Sequence, residues 1–303
     1  MRTFFSALCI LLAGCAVNNT MPKQEVPETS FARMWIDTDA ACGVQTGDPD
    51  DCLALHMALR ANVEIVGVSP VAGNTSLSGV IKSLALFPEL KVFLHEAGSC
   101  HSPAAKRFAE ASQEGELVLL ALGPLSNVAD FLSCDEVKQE HVHVVAVGGR
   151  PSPEVPLTPN PDHWISIDLR DLNVELDPNA ARETLEQAEL LSLVPFEASR
   201  EVVLEWGDIA RLSMPTAAQE RLQNWSSLAS WLWGIDGLLP FDAVAVGLVL
   251  WPEQFECFPV ETTMAGEMLV AQIEQGAAGG ERLYCLPLNG ELLKQNILAL
   301  ASN

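Results

Sequence analysis

Five aspartates lie close together near the start of the chain and form its densest group of potential ligands. They are Asp37, Asp39, Asp48, Asp50 and Asp51. Carboxylates at this density repel one another unless solvent screens them or a cation lies among them. Oxygen ligands without histidine or cysteine favour Ca²⁺ or Mg²⁺ over zinc. The group therefore predicts a hard-cation site; the alternative is that Asp48 and Asp50 only cap the helix that follows.

The segments around this group alternate between strand-like and helix-like patterns. Strand character is found at 33–36, 63–71, 90–94, 117–122 and 141–147, and helical spacing at 53–59, 76–86, 103–113, 128–132, 179–191 and 242–250. Strands that alternate with helices imply parallel pairing. We therefore predict an α/β fold with a mostly parallel central sheet and helices on both faces, a Rossmann-like open sheet.

The carboxyl ends of the predicted strands carry polar residues, and ligands of such sheets lie beyond those ends. These ends hold Asp37 and Asp39, Asn74, residues 123–127 and Gly148-Gly149. Residues 150–170 are rich in proline and polar side chains, which predicts a long loop over this face. The chemistry is therefore expected at this edge of the sheet.

The overall charge excludes two kinds of partner. The 303 residues include 17 Lys+Arg and 40 Asp+Glu, which gives a formal net charge of -23. Binding to a nucleic acid polymer, or to anionic lipid through charge, requires a basic face. We expect neither partner. A hydrophobic content of 49% is enough for a sizeable core.

The first residues have the pattern of an export signal. Arg2 is followed by the apolar run Phe4–Ala13, which is too short to span a bilayer. The run ends in Leu-Ala-Gly-Cys, which looks like a bacterial lipobox with Cys15 as the lipidated residue. The alternatives are an ordinary secretory signal or a buried N-terminal helix.

The chain is therefore divided into three parts. Residues 1–15 are predicted to be a lipoprotein-type signal peptide, 16–30 a polar tether, and 31–303 a single α/β domain. This division predicts a protein of the bacterial cell envelope that faces the periplasm from the outer or inner membrane. Its contact with the membrane would then be the N-terminal lipid alone.

Six cysteines follow the signal segment: Cys42, Cys52, Cys100, Cys134, Cys257 and Cys285. A periplasmic location permits disulfides, but six cysteines allow 15 pairings and the spacing does not choose among them. Their spacing with histidines is not that of a zinc site. Buried thiols and disulfide bonds both stay open at this point.

Seven motifs, in chain order, resemble those of the nucleoside hydrolase family. That family opens with a strand, then Asp-x-Asp-Pro-Gly-x-Asp-Asp and a helix, and Asp37, Asp39, Asp50 and Asp51 match its four aspartates. The other matches are Val71-Ala-Gly-Asn74, Ala121-Leu-Gly-Pro-Leu-Ser-Asn127, Val147-Gly-Gly149, Asp171-Leu-Asn173 with Asp177-Pro-Asn-Ala-Ala181, Phe241-Asp-Ala-Val-Ala245, and Val260-Glu261 with Gly266. The chain is identified as a divergent member, similar to the inosine- and uridine-preferring N-ribohydrolases, over residues 33 to 270.

The resemblance implies a calcium-dependent hydrolase. It would cleave the N-glycosidic bond of a ribonucleoside or related N-riboside into free base and ribose, a reaction of purine and pyrimidine salvage. The implied ligands of Ca²⁺ are Asp39, Asp51, Asp242 and the backbone carbonyl of Ser126. Asp39 would also be the general base toward water. A homo-oligomer is compatible with this family.

The resemblance also implies a sugar side and a base side. The sugar hydroxyls would contact Asp50, Asn74, Asn160, Asp171 and Asn173. The candidates for contact with the base are Trp231, Trp233, Phe241 and His163, with Trp225 in the same tryptophan-rich segment. Core packing is the alternative for the tryptophans, and a solvated loop position is the alternative for His163.

Three departures from the family pattern affect the site. Ten residues, Ala40 to Pro49, separate Asp39 from Asp50, where the family has three. An alternative register would use Asp48 in place of Asp39. Glu becomes the shorter Asp171. Phe241 stands where some members have a histidine that helps to protonate the departing base, so a riboside-binding lipoprotein with weak or no turnover is the second hypothesis.

Overall fold

The computed structural model describes residues 33–164, 167–273 and 281–302. The predicted signal peptide with Cys15 and the predicted tether therefore lie outside the described residues. Within the described part of the chain, none of the helices combines the length and the apolar character needed to cross a bilayer.

One sheet of eight strands organises the described residues. In spatial order the strands are β2 (Glu64–Pro70), β1 (Arg33–Thr38), β3 (Leu117–Ala121), β4 (Val142–Val147), β5 (Leu190–Val194), β10 (Arg282–Pro287), β8 (Phe255–Ala265) and β9 (Met268–Ile273). The pairings from β2 across to β10 are all parallel, while β8 and β9 add antiparallel pairs at one edge. Two short strands, β6 (Leu204–Glu205) and β7 (Gly237–Leu238), pair separately.

Helices cover both faces of the sheet, which confirms the predicted α/β architecture. The longer ones are α1 (Asp51–Arg60), α2 (Leu77–Leu84), α3 (Pro103–Gln113), α4 (Ser126–Leu132), α6 (Pro178–Gln187), α9 (Thr216–Trp233), α10 (Phe241–Leu250) and α11 (Gly290–Ala301). Three short helices complete the set: α5 (Leu172–Glu175), α7 (Phe196–Arg200) and α8 (Trp206–Ile209).

Strand β1 shows how the sequence builds two cores. Its side chains alternate, so Met34 and Ile36 enter one apolar cluster while Trp35 enters the other. The first cluster packs the sheet against α1, α10 and α11, and the second packs it against α3, α4 and α6. All three side chains are fully buried, as expected for a central parallel strand.

Two predicted elements differ from the observed ones. Residues 90–94 form no strand, and only Val92 makes a bridge, with Val68. The segment 179–191 is not one helix: α6 ends at Gln187, Ala188 is extended, and β5 begins at Leu190. The residues of β5 lie between β4 and β10, and the burial of their side chains there outweighs the local helical pattern.

Three disulfides join the six cysteines of the described residues. They are Cys42–Cys52, Cys100–Cys134 and Cys257–Cys285. The last of these connects directly opposed positions of the antiparallel strands β8 and β10. The question that spacing alone left open is therefore resolved in favour of disulfide bonds.

Candidate active site

Three buried carboxylates meet at the carboxyl edge of the sheet. Asp50 and Asp51 stand at the start of α1, and Asp242 lies in the first turn of α10. Each offers an oxygen within 4.8 Å of the other two. Residues 192 positions apart in the chain thus form one three-carboxylate group, Asp50, Asp51 and Asp242.

Backbone and hydroxyl donors hold this group in place. Asp50 Oδ2 accepts a hydrogen bond from the backbone N–H of Asp242 at 3.1 Å. The hydroxyl of Thr38, at the end of β1, donates to Asp51. The two helix N-termini add partial positive charge near the carboxylates. These contacts orient the oxygens but supply no full opposite charge.

Burial makes the ionised form of these groups costly. It raises the pKa of Asp50 to about 6. Burial, together with the neighbouring carboxylates, raises the pKa values of Asp51 and Asp242 well above the ordinary range. Among the described residues, no lysine or arginine forms an ion pair with the group. Protons or a bound cation must therefore balance its charge, and an all-oxygen donor set fits Ca²⁺ or Mg²⁺.

Asp39 lies beside the three-carboxylate group. Its Oδ2 accepts from the backbone N–H of Asn74 at 2.6 Å, and its Oδ1 accepts from the Asn74 side chain at 3.1 Å. The same Asn74 amide lies 3.4 Å from Asp51 Oδ2. Burial raises the pKa of Asp39 to about 7. A Cβ at Gly73 would come within 2.0 Å of Asp39 Oδ2, so only glycine permits this close approach.

Asp37 has a different environment. Its Oδ1 accepts from the Ser69 hydroxyl and from Asn127 Nδ2, the latter at 2.8 Å. Its Oδ2 is buried without a hydrogen-bond partner among the described residues. Burial raises the pKa of Asp37 to about 7. Because these contacts link β1 to β2 and α4, Asp37 fastens the edge of the sheet beneath the site.

Ser126, the predicted source of a backbone ligand, is the first residue of α4. Its hydroxyl donates to Asp177 Oδ2 at 2.7 Å, and Asp177 in turn caps α6. The serine side chain therefore anchors two helices to each other. The ligand role of the Ser126 carbonyl stays a prediction.

A cavity of about 430 Å³ is lined by Asp50 and Asp242 of the three-carboxylate group, whereas Asp39 and Asp51 are not in its described lining. Its polar wall includes Asn74, Asp171 and Asn173. Asn173 donates both amide hydrogens, to the carbonyls of Leu122 at 3.0 Å and Val147 at 3.1 Å. Its Oδ1 is therefore left as an acceptor for a ligand hydroxyl.

Asp171 reaches the same wall from the start of α5. Its Oδ2 accepts from the backbone N–H of Gly149 at 2.7 Å, and burial raises its pKa to about 6. Gly149 and Gly148 both have positive φ, of 87° and 143°. These glycines let the chain turn at the end of β4 and present the N–H to the carboxylate. The shorter side chain at 171 thus still lines the cavity.

The cavity also has an aromatic wall. Its rings are Phe196, Trp225, Trp233 and Phe241. The rings of Phe196 and Phe241 lie 5.8 Å apart, and those of Trp225 and Trp233 lie 6.3 Å apart. Such a wall suits the face of a planar base. Trp225 and Trp233 line the cavity and also pack against the core, and their contact with a base stays a prediction.

Three of the residues predicted to contact the sugar or the base are not part of the described cavity lining. Trp231 is 61% exposed. The ring of His163 packs against Gly234 and lies 3.2 Å from the Trp231 carbonyl. Asn160 donates to the carbonyl of Gly234 at 3.3 Å. These three contacts fasten the loop 150–170 to the end of α9, and the predicted roles of these residues in binding stay predictions.

The ten residues from Ala40 to Pro49 form part of the cavity wall, through Gly47 and Asp48. Asp48 Oδ1 accepts from the backbone N–H of Asp50 at 3.2 Å, and burial and Asp50 raise the pKa of Asp48. The Cys42–Cys52 disulfide ties this segment to α1. The inserted segment is therefore an ordered component of the site.

Arg221 on α9 holds the inserted segment and was not anticipated from the sequence. It donates to the carbonyls of Val44 at 3.0 Å and Gly47 at 2.6 Å. Its guanidinium also lies over the Trp225 ring, 5.7 Å from the centroid. One side chain therefore connects the inserted segment to the aromatic wall.

We expect Arg221→Gln to weaken the attachment of the inserted segment to α9. Loss of two charge-assisted hydrogen bonds should lower the free energy of unfolding by about 2–3 kcal/mol. KM for a riboside should rise more than kcat falls, because the cation group is not in contact with Arg221. Urea unfolding and steady-state kinetics measure both effects, with exposed Arg200→Gln as the control. If Arg221→Gln and Arg200→Gln changed the free energy of unfolding and KM equally, the role given to Arg221 would be wrong.

Comparison with known proteins agrees with this geometry. The sequence pattern of the family described as inosine-uridine preferring nucleoside hydrolase matches residues 94–283. The chain therefore belongs to the nucleoside hydrolase family, as a divergent member. A comparison with curated proteins found no match.

Solved structures share the fold at low sequence identity. A plant nucleoside hydrolase aligns with a TM-score of 0.70 and 15% identity over 90% of this chain and 99% of that one. A purine-preferring ribonucleoside hydrolase from Gardnerella vaginalis gives 0.68 and 14% over 89% and 99%. An inosine-uridine preferring nucleoside hydrolase from Bacillus anthracis gives 0.60 and 18% over 90% and 99%. Identities this low establish the fold.

Proposed function

We propose that the protein is a Ca²⁺-dependent hydrolase that cleaves the N-glycosidic bond of a ribonucleoside or related N-riboside. The observation that carries the proposal is the three-carboxylate group beneath a cavity with one polar and one aromatic wall. A ribose fits the polar wall and a base fits the aromatic wall. Membership of the nucleoside hydrolase family supports the same reaction.

The cation would be held by Asp39, Asp51 and Asp242, with Asp50 close by and the Ser126 carbonyl as a further ligand. The buried, unpaired carboxylates fit a hard divalent cation, because they offer oxygens and lack an opposing charge. When bound, the cation supplies positive charge that orients sugar hydroxyls and lowers the pKa of a nearby water.

The side chains around the cavity account for the rest of the reaction. Asp39, oriented by two hydrogen bonds from Asn74, accepts a proton from the attacking water. Asn173 Oδ1 and Asp171 accept hydrogen bonds from sugar hydroxyls. As the bond to the base breaks, positive charge develops on the sugar ring and the surrounding carboxylates stabilise it.

The test is hydrolysis of a panel of ribosides by the purified full-length protein. We expect equimolar release of base and reducing sugar, loss of turnover after treatment with EDTA, and recovery with Ca²⁺. Adenosine monophosphate should be a poor substrate, because the cavity lining contains five aspartates and one arginine. Hydrolysis that persists in EDTA would contradict the calcium dependence.

A riboside-binding function without turnover is the second candidate. It is favoured by Phe241, whose ring lines the cavity beside Asp242 and has no proton to give to a departing base. Tight binding of ribosides in calorimetry, with no release of base from any member of the panel, would replace the first candidate by the second.

We further propose that Cys15 carries a lipid that anchors the protein in the bacterial envelope. The three disulfides support this location, because disulfides persist in oxidising compartments and are rare in the cytosol. Mass spectrometry of the membrane fraction should find a diacylated or triacylated Cys15 at the N-terminus. A full-length soluble chain with an unmodified Cys15 would overturn the anchor.

A further inference from the structure

One of the three disulfides lies directly beside the proposed cation site. Cys42 belongs to the inserted segment, and Cys52 follows Asp50 and Asp51 at the start of α1. The covalent loop between the two cysteines therefore contains two members of the three-carboxylate group. Neither of the other two disulfides of the described residues encloses a member of this group. The Cys42–Cys52 bond thus differs from the others in its relation to the site.

This bond shortens a connection that the insertion lengthens. Along the backbone, eleven residues separate Asp39 from Asp51. Through the disulfide, the residues between these two aspartates are four: Ala40, Ala41, Cys42 and Cys52. The family pattern Asp-Pro-Gly-x-Asp-Asp also has four residues between the corresponding aspartates. The disulfide therefore restores a covalent connection of the same length.

A short connection matters because the two halves of the site come from different elements. Asp39 directly follows β1, while Asp50 and Asp51 stand at the start of α1. Carboxylates repel one another when no cation lies among them, and a longer loop costs more entropy to hold closed. A covalent bond that restricts this loop lowers the cost of holding the oxygens together.

The loop closed by the disulfide also contacts the residue that orients Asp39. Gly47, inside this loop, has a φ of 88°, and a Cβ there would lie 2.4 Å from the carbonyl oxygen of Asn74. Asn74 in turn donates to both carboxylate oxygens of Asp39 and lies 3.4 Å from Asp51 Oδ2. A displacement of the loop would therefore reach both carboxylates through Asn74.

The disulfide itself is buried in apolar packing. Cys42 is 4% exposed and Cys52 0%, and both belong to the first apolar cluster together with Ala40 and Leu53. Neither cysteine is part of the described cavity lining. The pair can therefore influence a bound cation only through the carboxylates that it holds.

We propose that the Cys42–Cys52 disulfide positions the ligands of the cation, so that the affinity for Ca²⁺ depends on oxidation of this pair. The inference rests on the calcium-dependent function proposed above. Cys42 and Cys52 are positioning residues, because they act through Asp39, Asp50 and Asp51. A protein in which this pair is absent or reduced binds calcium more weakly.

Oxidation of the pair is balanced by reduction of a second disulfide. The two thiols form one S–S bond and give up two electrons and two protons, and an oxidant such as oxidised dithiothreitol takes up both and becomes a dithiol. Coupling between two binding or bonding equilibria is reciprocal. A disulfide that strengthens calcium binding is therefore stabilised by bound calcium by the same factor.

Calorimetric titration of the full-length protein with Ca²⁺ tests the proposal. In the double variant Cys42→Ala, Cys52→Ala we expect the dissociation constant to rise about 10- to 100-fold, the usual effect of removing the outer support of metal ligands. The matched control is Cys100→Ala, Cys134→Ala, whose disulfide packs against the second apolar cluster. The control should bind Ca²⁺ as tightly as the wild type.

The control also separates positioning from general stability. Cys100 and Cys134 lie 34 positions apart, and Cys42 and Cys52 lie 10 apart, so loss of the Cys100–Cys134 bond should lower Tm more. The positioning role predicts the opposite order for calcium affinity. If affinity instead fell in the same order as Tm, the proposal would be wrong.

A second measurement needs no variant, and it decides the question if Cys42→Ala, Cys52→Ala does not fold. The wild-type chain is equilibrated in dithiothreitol redox buffers with and without Ca²⁺, and alkylation followed by mass spectrometry counts the thiols of each pair. Calcium should shift the Cys42–Cys52 equilibrium at least about tenfold, or about 30 mV, and leave Cys100–Cys134 unchanged. Equal shifts of both pairs would show that calcium acts through overall stability alone, which contradicts the positioning role.

The outcomes distinguish this inference from the proposed function. Unchanged calcium affinity without the Cys42–Cys52 bond would overturn the positioning role and leave the calcium-dependent hydrolase standing. Absence of calcium binding in the wild-type protein would overturn the calcium dependence itself.

Discussion

Asp51→Asn is expected to abolish tight calcium binding and to lower kcat/KM for riboside hydrolysis by at least about 10³-fold. Asp51 is fully buried, offers an oxygen within 4.8 Å of Asp50 and Asp242, and accepts from the Thr38 hydroxyl. Asparagine keeps the volume and one oxygen but removes the charge. The cation then loses one of its full negative charges at the centre of the group.

Although Asp51→Asn should lower activity, it should not destabilise the cation-free fold. Removal of one of three crowded, buried charges relieves repulsion, so the cation-free variant should unfold at a temperature equal to or above that of the wild type. Calorimetric titration with Ca²⁺ measures the affinity, and exposed Asp135→Asn is the matched control. Wild-type affinity in Asp51→Asn would show that the ligand assignment is wrong.

Without calcium, the protein is expected to become more stable as the pH falls from 8 to 5. The pKa values of Asp37 and Asp39 are raised from 3.8 to about 7, so between these values the folded state binds more protons than the unfolded state. Stability is then lost as the pH rises through the folded pKa. Asp37 alone accounts for about 3 kcal/mol between pH 8 and pH 5.

Two buried histidines act in the opposite direction, and the larger shift is that of His143. Burial lowers the pKa of His143, on β4, from 6.5 to about 4, so the unfolded state binds its proton first as the pH falls. This costs about 2 kcal/mol at pH 5. Burial also lowers the pKa of His56. Because several carboxylates oppose these two histidines, the stability should still rise as the pH falls.

Bound calcium should reverse this pH dependence of stability, because calcium binds the ionised carboxylates. The rise in Tm caused by saturating Ca²⁺ should be larger at pH 8 than at pH 5, and differential scanning calorimetry with EDTA or Ca²⁺ measures it. Magnesium at the same concentration tests the selectivity. A cation-induced shift in Tm that is the same at both pH values would mean that the cation does not bind at the buried carboxylates.

The sequence predicted four of the eight strands of the sheet, β1 to β4, where local pattern and final burial agree, whereas β8, β9 and β10 were not predicted. The apolar run at 117–122 forms a buried central strand as predicted, and α3 was predicted with its observed ends. In the structure, Ser102 caps α3 and Pro103 is its first residue. The boundary between α6 and β5 was missed, since no glycine or proline separates them. There the neighbouring strands, not the local sequence, determine the structure.

The residues of the site likewise include some that the sequence predicted and some that it did not. Asp50 and Asp51 are adjacent in sequence, and Asp242 was connected to them through the family resemblance. Arg221 could not be found, because its partners Val44 and Gly47 lie 177 and 174 residues away and a lone arginine on a helix carries no signal. Contacts of this kind depend on the three-dimensional arrangement of α9 over the inserted segment.

The disulfide pattern has a consequence for how the chain reaches its native state. Along the described chain, the first cysteine is bonded to the second, the third to the fourth and the fifth to the sixth: Cys42–Cys52, Cys100–Cys134 and Cys257–Cys285, with separations of 10, 34 and 28 residues. The three covalent loops neither overlap nor enclose one another. A chain that enters an oxidising compartment with its N-terminus first would therefore present each cysteine to its correct partner before the next pair emerges. In such a chain, oxidation in order of arrival would yield these three bonds without later reshuffling by an isomerase.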